Sequence, residues 1–329
     1  MAVLVTGGAG YIGSHMVWRL LDAGETVLVA DRLTTGFDWA VAPEAKLEVG
    51  DIGDARFLDR IFGSYAIEAI IHFAGSIVVP ESVSNPHMYY TNNTANSLQL
   101  IAKAVEHKVA AFIFSSTAAV YGSVGPEPVV ETAPKFPESP YGHSKLMVEQ
   151  ILADTAAAHD FRYTALRYFN VAGADPKGRT GQSTKGATHL IKVACETAAG
   201  KRRSMDVFGT DYPTPDGTCI RDYIHVTDLV NAHFLALERM RNGGSSLIAN
   251  CGYGSGYSVM DVIGAVKKVS GRDFDVNFAG RRIGDAVSVV ANPAVAAREF
   301  GWVPEHNDLD TIVQTALNWE RALQRRNQI

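Results

Sequence analysis

The first thirteen residues constrain this chain more than any other stretch. Met1 to Thr6 is a short apolar run, Gly7-Gly8-Ala9-Gly10-Tyr11-Ile12-Gly13 follows at once, and Ser14 to Ala23 carries apolar residues at helical spacing. The glycines therefore lie at a strand-to-helix turn. They read as Gly-x-Gly-x-x-Gly through Gly8, Gly10 and Gly13, or as Gly-x-x-Gly-x-x-Gly through Gly7, Gly10 and Gly13. Either way the backbone can approach a pyrophosphate at a helix N-terminus, where unpaired amides and the helix dipole favour an anion. A second apolar run, Val27 to Ala30, ends in Asp31, eighteen residues after Gly13. A carboxylate there binds the ribose hydroxyls of NAD and repels the extra phosphate of NADP. Arg32, beside it, is the one feature that would tolerate that phosphate.

Further along, strand-like runs at Leu47 to Val49, Ala69 to Phe73, Phe112 to Ser115 and Tyr163 to Leu166 alternate with helical patterns. The helical stretches are Arg56 to Phe62, Met88 to His107 and Ser144 to His159. This alternation predicts an α/β fold, a doubly wound parallel sheet of Rossmann type with helices on both faces. Ligands then collect at the carboxyl ends of the strands. Asp51, Phe73-Ala74-Gly75 and Ser115-Ser116-Thr117 all end strands, which places them along one rim. After about Asn170 the regularity fails, with polar or irregular stretches at Gly173 to Gly186 and Phe208 to Arg221. The expected division is a nucleotide-binding domain over 1–170, to which some later segments return, and a smaller C-terminal lobe over 171–329 that supplies the substrate site.

Charge and cysteine usage narrow the function. Formal net charge over the 329 residues is −5, so the surface as a whole does not attract nucleic acid or an anionic membrane. Any anionic ligand must be held by local arginines. Cys195, Cys219 and Cys251 are scattered and form no Cys-x-x-Cys, which reads as reduced thiols of a cytoplasmic protein. The ten histidines show no ligand spacing, so no metal is expected. No leader precedes the first strand and no apolar run is long enough to cross a bilayer.

Tyr141-Gly142-His143-Ser144-Lys145 sets a phenol and an ammonium four residues apart, twenty-four positions after the hydroxyl of Thr117. On a helix that spacing stacks tyrosine and lysine on one face. Lowering a phenol from about 10 to about 7, where it works as a base, takes about 4 kcal/mol. One surface ion pair does not supply that much. A second cation or a dry site must contribute.

The motifs together resemble the UDP-glucose 4-epimerases, an extended branch of the short-chain dehydrogenase/reductase superfamily. The likeness runs through Val5-Thr6-Gly7-Gly8, His72-Phe73-Ala74-Gly75, Glu81-Ser82-Val83, Tyr89-Tyr90 with Asn92-Asn93, and Phe112-Ile113-Phe114-Ser115-Ser116. It continues through Val120-Tyr121-Gly122, Ser139-Pro140-Tyr141-Gly142, Leu166-Arg167-Tyr168-Phe169-Asn170, Asp216-Gly217-Thr218 and Arg221-Asp222-Tyr223-Ile224-His225-Val226. The resemblance implies an isomerase that oxidises the sugar transiently at carbon 4 with tightly bound NAD, turns over the flat keto sugar, and reduces it on the other face. Tyr141 is then the base, Thr117 holds or relays the hydroxyl hydrogen bond, and Lys145 binds nicotinamide ribose while lowering the tyrosine pKa. The nicotinamide cation would be the second positive charge that the phenol needs.

The same resemblance assigns NAD binding to Gly7, Gly10, Tyr11, Ile12, Gly13, Asp31, Asp51, Ile52, Phe73, Ala74, Gly75, Asn92, Tyr141, Lys145 and Phe169. It assigns the UDP-sugar to Thr117, Asn170, His189, Leu190, Val207, Phe208, Arg221, Arg282 and Asp285. Arginine forks suit a diphosphate even on an acidic protein; the bland alternative pairs Arg221 and Arg282 with Asp222 and Asp285. His189 stands where some relatives carry asparagine, and Ile77 where some carry a cofactor-reaching lysine. Val289 lies where relatives vary in bulk, which leaves N-acetylated sugars open. A homodimer joined through helices of the nucleotide-binding half is implied as well. Among rivals, a 4,6-dehydratase would place an Asp-Glu pair where Ala118 and Ala119 stand. Epimerases of other UDP-sugars share the carbon 4 chemistry, and a silent NAD-binding sensor would lack the tyrosine or the lysine.

Overall fold

The computed structural model describes every residue of the chain except 126, 283–285 and 327–329. Six strands occur before residue 170: β1 (Ala2–Thr6), β2 (Val27–Asp31), β3 (Lys46–Val49), β4 (Ile67–His72), β5 (Ala111–Thr117) and β6 (Arg162–Tyr168). Later come β7 (Asn170–Ala172), β8 (Ser204–Phe208), β9 (Ile220–Arg221), β10 (Tyr223–His225), β11 (Leu247–Cys251), β12 (Tyr257–Ser258), β13 (Asp275–Ala279) and β14 (Ser288–Val289). The first six strands and β11 form one seven-stranded sheet in the order β11-β6-β5-β4-β1-β2-β3. Every pairing in it is parallel. Its continuous Val, Ile and Leu content follows from burial of both faces. One face packs on the helices Tyr11–Asp22 and Val226–Arg241 through Met16, Val17, Leu229 and Leu237, and the other on Ala55–Ser64, Asn96–Glu106 and Pro140–Ala158 through Leu58, Ile61, Leu100, Val148 and Leu152.

Chain order reverses between β1 and β4, which lie side by side although β2 and β3 come between them in sequence. Crossovers leave this point in opposite directions, opening a crevice at the carboxyl ends of β1 and β4. The C-terminal segments build a second core in which Ile191, Cys195, Val207, Val262, Val266, Ile312 and Leu317 are buried together. Paired strands β8 and β13 lie at this core, and the three-stranded sheet β12-β9-β14 runs beside it. Among the described residues no helix is long and apolar enough to cross a membrane.

The helix expected over Met88 to His107 is interrupted. A short helix at Pro86–Tyr89 passes into a π-helical turn at Tyr90–Ala95 before Asn96–Glu106 completes it. The wider turn holds Asn93 inward, where its amide donates to the Ser76 carbonyl and the Ser144 hydroxyl and its oxygen accepts from the Ser76 amide. Periodicity cannot show this, because polar contacts with another segment select the local winding.

Candidate active site

The glycine turn shows which of the two spacings applies. Gly7 has φ +72°, and a Cβ there would lie 2.6 Å from the Ala74 amide nitrogen. A Cβ on Gly13 would lie 2.1 Å from the Gly7 carbonyl oxygen. Gly10 caps the helix that begins at Tyr11. Gly8 instead turns its Cα toward the core, where Val29 and Val17 close around it. The turn is therefore lined by Gly7, Gly10 and Gly13, a cradle that any side chain would fill, and the first helical amides at Tyr11, Ile12 and Gly13 have no carbonyl within the helix to bond. This fits a diphosphate.

Asp31, at the end of β2, is held ready by two backbone donors: Ala9 N at 3.0 Å and Leu33 N at 2.8 Å. Arg32 donates to Thr34 Oγ1 and to Asp51 Oδ2, each at 3.1 Å. The guanidinium that left cofactor choice open is thus drawn toward Asp51. Asp51 also accepts from Gly53 N, and the adjoining Ile52 is buried. Phe73, Ala74 and Gly75 continue from β4 across the crevice, and a Cβ on Gly75 would lie 3.6 Å from the Lys145 ammonium. Asn92 donates to Ser76 Oγ. Phe169 is buried at the end of β6.

Tyr141 and Lys145 occupy the first two turns of the helix Pro140–Ala158. Pro140 opens it, and the Ser139 hydroxyl caps it by accepting from Gly142 N. Both side chains are buried, at 8% and 3% exposure, and so is Thr117 at 8%. Thr117 ends β5, with its hydroxyl accepting from Ala119 N at 3.1 Å. The Lys145 ammonium donates to the Ser115 carbonyl at 3.0 Å and lies 4.9 Å from the centre of the Phe114 ring.

Burial raises the Tyr141 phenol above its ordinary pKa, and its hydrogen bond with Thr117 works in the opposite direction. Burial also pushes Lys145 down to about 8. In the ligand-free protein, then, desolvation outweighs any help the lysine gives, and the phenol is protonated at neutral pH. The expected lowering by Lys145 is not a property of these side chains alone. A further cation at the site is required, as the free-energy arithmetic demands.

The remaining predicted residues lie after β6 in the chain. Asn170 and Tyr11 meet His189 and Leu190 around a pocket between the glycine-turn helix and the helix Leu190–Ala198, lined also by Trp319. A smaller pocket lies directly on the turn, where Gly10, Tyr11 and Ser14 face Thr35, Phe37, Ser183 and Thr184. None of the last four stood out in sequence, because loops far apart in the chain bring them there. Phe208 and Arg282 stack, with the guanidinium carbon 3.7 Å from the ring centre. Arg221, on β9, donates to the Ile220 carbonyl.

Val207 is 1% exposed and its side chain packs with Ile191, Cys195 and Met205, since alternation along β8 turns it to the face opposite Phe208. The Asp222 carboxylate accepts from the amides of Tyr253, Gly254 and Ala291, and burial raises it to about 6. Asp285 lies outside the described residues.

Seven parallel strands, a glycine cradle at the switch point and a tyrosine-lysine helix beside it define a dinucleotide-binding protein of the doubly wound class. The sequence profile of the NAD dependent epimerase/dehydratase family matches residues 3–252, and the chain belongs to that family. It is 55% identical over 322 residues to the UDP-glucose 4-epimerase of Azospirillum brasilense, covering 98% of this chain and 92% of the relative. The UDP-glucose 4-epimerase of Brucella ovis, solved in complex with NAD, superposes with a TM-score of 0.94 at 43% identity, over 97% of this chain and 98% of that one. The Bifidobacterium longum enzyme, solved with NAD+ and UDP, gives 0.93 at 37% identity, over 98% of each chain.

Proposed function

We propose that this protein is a UDP-glucose 4-epimerase, interconverting UDP-galactose and UDP-glucose with NAD held in the crevice between β1 and β4. The carrying observation is the convergence of Tyr141, Lys145 and Thr117, all buried, at the carboxyl end of β5 beside the segment Phe73-Ala74-Gly75. When bound, NAD supplies the reversible hydride acceptor and a positively charged ring. Gly7, Gly10 and Gly13 admit its diphosphate and Asp31 takes the adenosine ribose; Asp51 and Ile52, after the neighbouring strand β3, serve the adenosine end, and Phe73, Ala74, Asn92 and Phe169 serve the other. Lys145 takes the nicotinamide ribose.

Tyr141 accepts the proton of the sugar's 4-hydroxyl and later returns it, with Thr117 holding that hydroxyl in line. A base must be within hydrogen-bond reach of the proton it takes, and Tyr141 and Thr117 are both buried, on a helix and a strand end that pack together. Proton transfer in both directions through one phenol suits an isomerase, which ends in the redox state in which it began. Asn170, His189, Leu190, Phe208, Arg221 and Arg282 hold the nucleotide diphosphate. Stacking fixes the Arg282 plane on Phe208, which suits forked recognition of phosphate oxygens.

The enzyme serves galactose metabolism, in the cytoplasm, as a homodimer. The three buried, unbridged cysteines support the compartment, and the exposed apolar side chains Leu98 and Met147 on the helices Asn96–Glu106 and Pro140–Ala158 support the dimer.

The test is to mix purified protein with UDP-galactose, add no cofactor, and follow UDP-glucose. Conversion without NADH accumulation is expected, and Tyr141→Phe should lower it by at least ~10²-fold, the usual contribution of a general base. Tight NAD binding without turnover of any UDP-sugar would indicate a sensor instead; wild-type turnover in Tyr141→Phe would remove the assigned base.

A further inference from the structure

The helix that carries Tyr141 and Lys145 carries a third buried polar side chain at the same interval, Glu149, 3% exposed. These three residues meet the last three residues of β5. The Lys145 ammonium bonds the Ser115 carbonyl, the Ser116 hydroxyl donates to Glu149 Oε1, and Thr117 faces Tyr141.

On β6, next to β5, Arg167 has no exposed surface. It grips the Glu149 carboxylate with two donors, Nε to Oε1 at 2.9 Å and Nη2 to Oε2 at 2.5 Å. Its remaining arm donates to the Tyr121 hydroxyl at 2.9 Å and the Glu131 carbonyl at 3.1 Å. Tyr121 donates in turn to Asn250 Oδ1, and Asn250 to the Val129 carbonyl. Val129 N bonds the Val290 carbonyl, next to β14, which pairs with the strand of Arg221.

A buried ion pair is a poor source of stability, because desolvating both charges cancels most of their attraction. What a two-pronged arginine-carboxylate contact does supply is fixed geometry. We propose that Glu149 and Arg167 are positioning residues for the epimerase reaction: they set the axial and rotational register of the catalytic helix against β5, so that the Tyr141 phenol meets the Thr117 hydroxyl. Neither touches the reacting atoms; both act through the helix and strand they join. The proposal rests on the epimerase reading above.

The test uses the full-length protein with UDP-galactose, with kcat and KM measured between pH 6 and 10. Wild-type protein is assayed first, since its inactivity would refute the epimerase reading itself. Two variants follow. S116A removes one hydroxyl and leaves the ion pair; the double variant E149L/R167M replaces the pair with apolar groups of similar size, an exchange that buried ion pairs often tolerate. A misplacement of about 1 Å at a reacting group costs on the order of 100-fold. We expect kcat to fall about 10-fold in S116A and about 100-fold in the double variant, with KM within about 2-fold and thermal unfolding near wild type. The acid limb of kcat should move to higher pH, because the Thr117 contact that lowers the phenol pKa is weakened. An active wild type alongside variants that keep its kcat and acid limb would show that the pair only fills space. If the double variant does not fold, S116A alone decides.

Discussion

Replacing Lys145 with methionine should make the nucleotide-free protein more stable while destroying its activity. Burial lowers this ammonium from its ordinary 10.5 to about 8. At 1.36 kcal/mol per pH unit, that gap means the folded state bears about 3 kcal/mol at pH 7 to keep the charge. Methionine keeps most of the apolar stem and removes the charge, but it leaves the Ser115 carbonyl without this donor, a loss of about 1 kcal/mol. The net expectation is a gain of about 2 kcal/mol at pH 7. Because the folded pKa lies below the unfolded one, the unfolded chain binds more protons between pH 8 and 10.5, and wild-type stability rises through that window. The penalty is complete below about 8 and relieved above 10.5. The advantage of Lys145→Met should therefore shrink by about 2 kcal/mol between pH 7 and 9.5. Urea unfolding followed by tryptophan fluorescence at these two pH values, on protein stripped of nucleotide, measures both quantities. A variant less stable than wild type at pH 7, or one with the same advantage at both pH values, would refute the claim that the site holds an unfavourably buried charge in readiness for its ligand.

Acid should unfold the protein early. Burial depresses His72 and His225 to about 3 and His15 and His233 to about 4, so each is folded neutral and must charge on unfolding. Their contribution is complete above about 6.5 and lost as pH falls toward the folded values; at pH 5.5 each has cost about 1 kcal/mol and the four together about 5. A stability unchanged between pH 7 and 5.5 in urea titrations would contradict this. In the glycine cradle, Gly13→Ala drives a methyl into the Gly7 carbonyl and should weaken NAD binding at least ~100-fold, about 3 kcal/mol. Gly63→Ala, with no atom within 4 Å of the added carbon and a helical position, should leave NAD binding unchanged and add roughly 1 kcal/mol of stability, both readable by calorimetry.

Much of the nucleotide-binding half was legible because its signals are local. The strands expected at 47–49, 69–73, 112–115 and 163–166 all lie within or overlap observed strands, with differences of at most two residues at their ends. Such ends depend on neighbouring strands rather than on the segment itself. The helix expected over Ser144 to His159 runs Pro140–Ala158, its start set four residues earlier by a proline after a capping serine. Past residue 170 the signals weaken. Thr35, Phe37, Ser183 and Trp319 come to the ligand crevice only through tertiary contacts, and Val207 differs from Phe208 only in which way one strand faces.

Sequence by itself determined the chemistry available: a glycine turn that admits a pyrophosphate, an acid eighteen residues on, and a phenol one turn from an amine. Those features depend on covalent spacing and on backbone freedom, both of which are local. Tertiary structure alone decided which glycines line the cradle, that Arg32 leans on Asp51, and that Arg167 of β6 grips Glu149 of the tyrosine-lysine helix. It also decided the sign of the tyrosine's shift. A pKa is set by everything within a few ångströms, and here burial of the phenol outweighs the contact that would lower it.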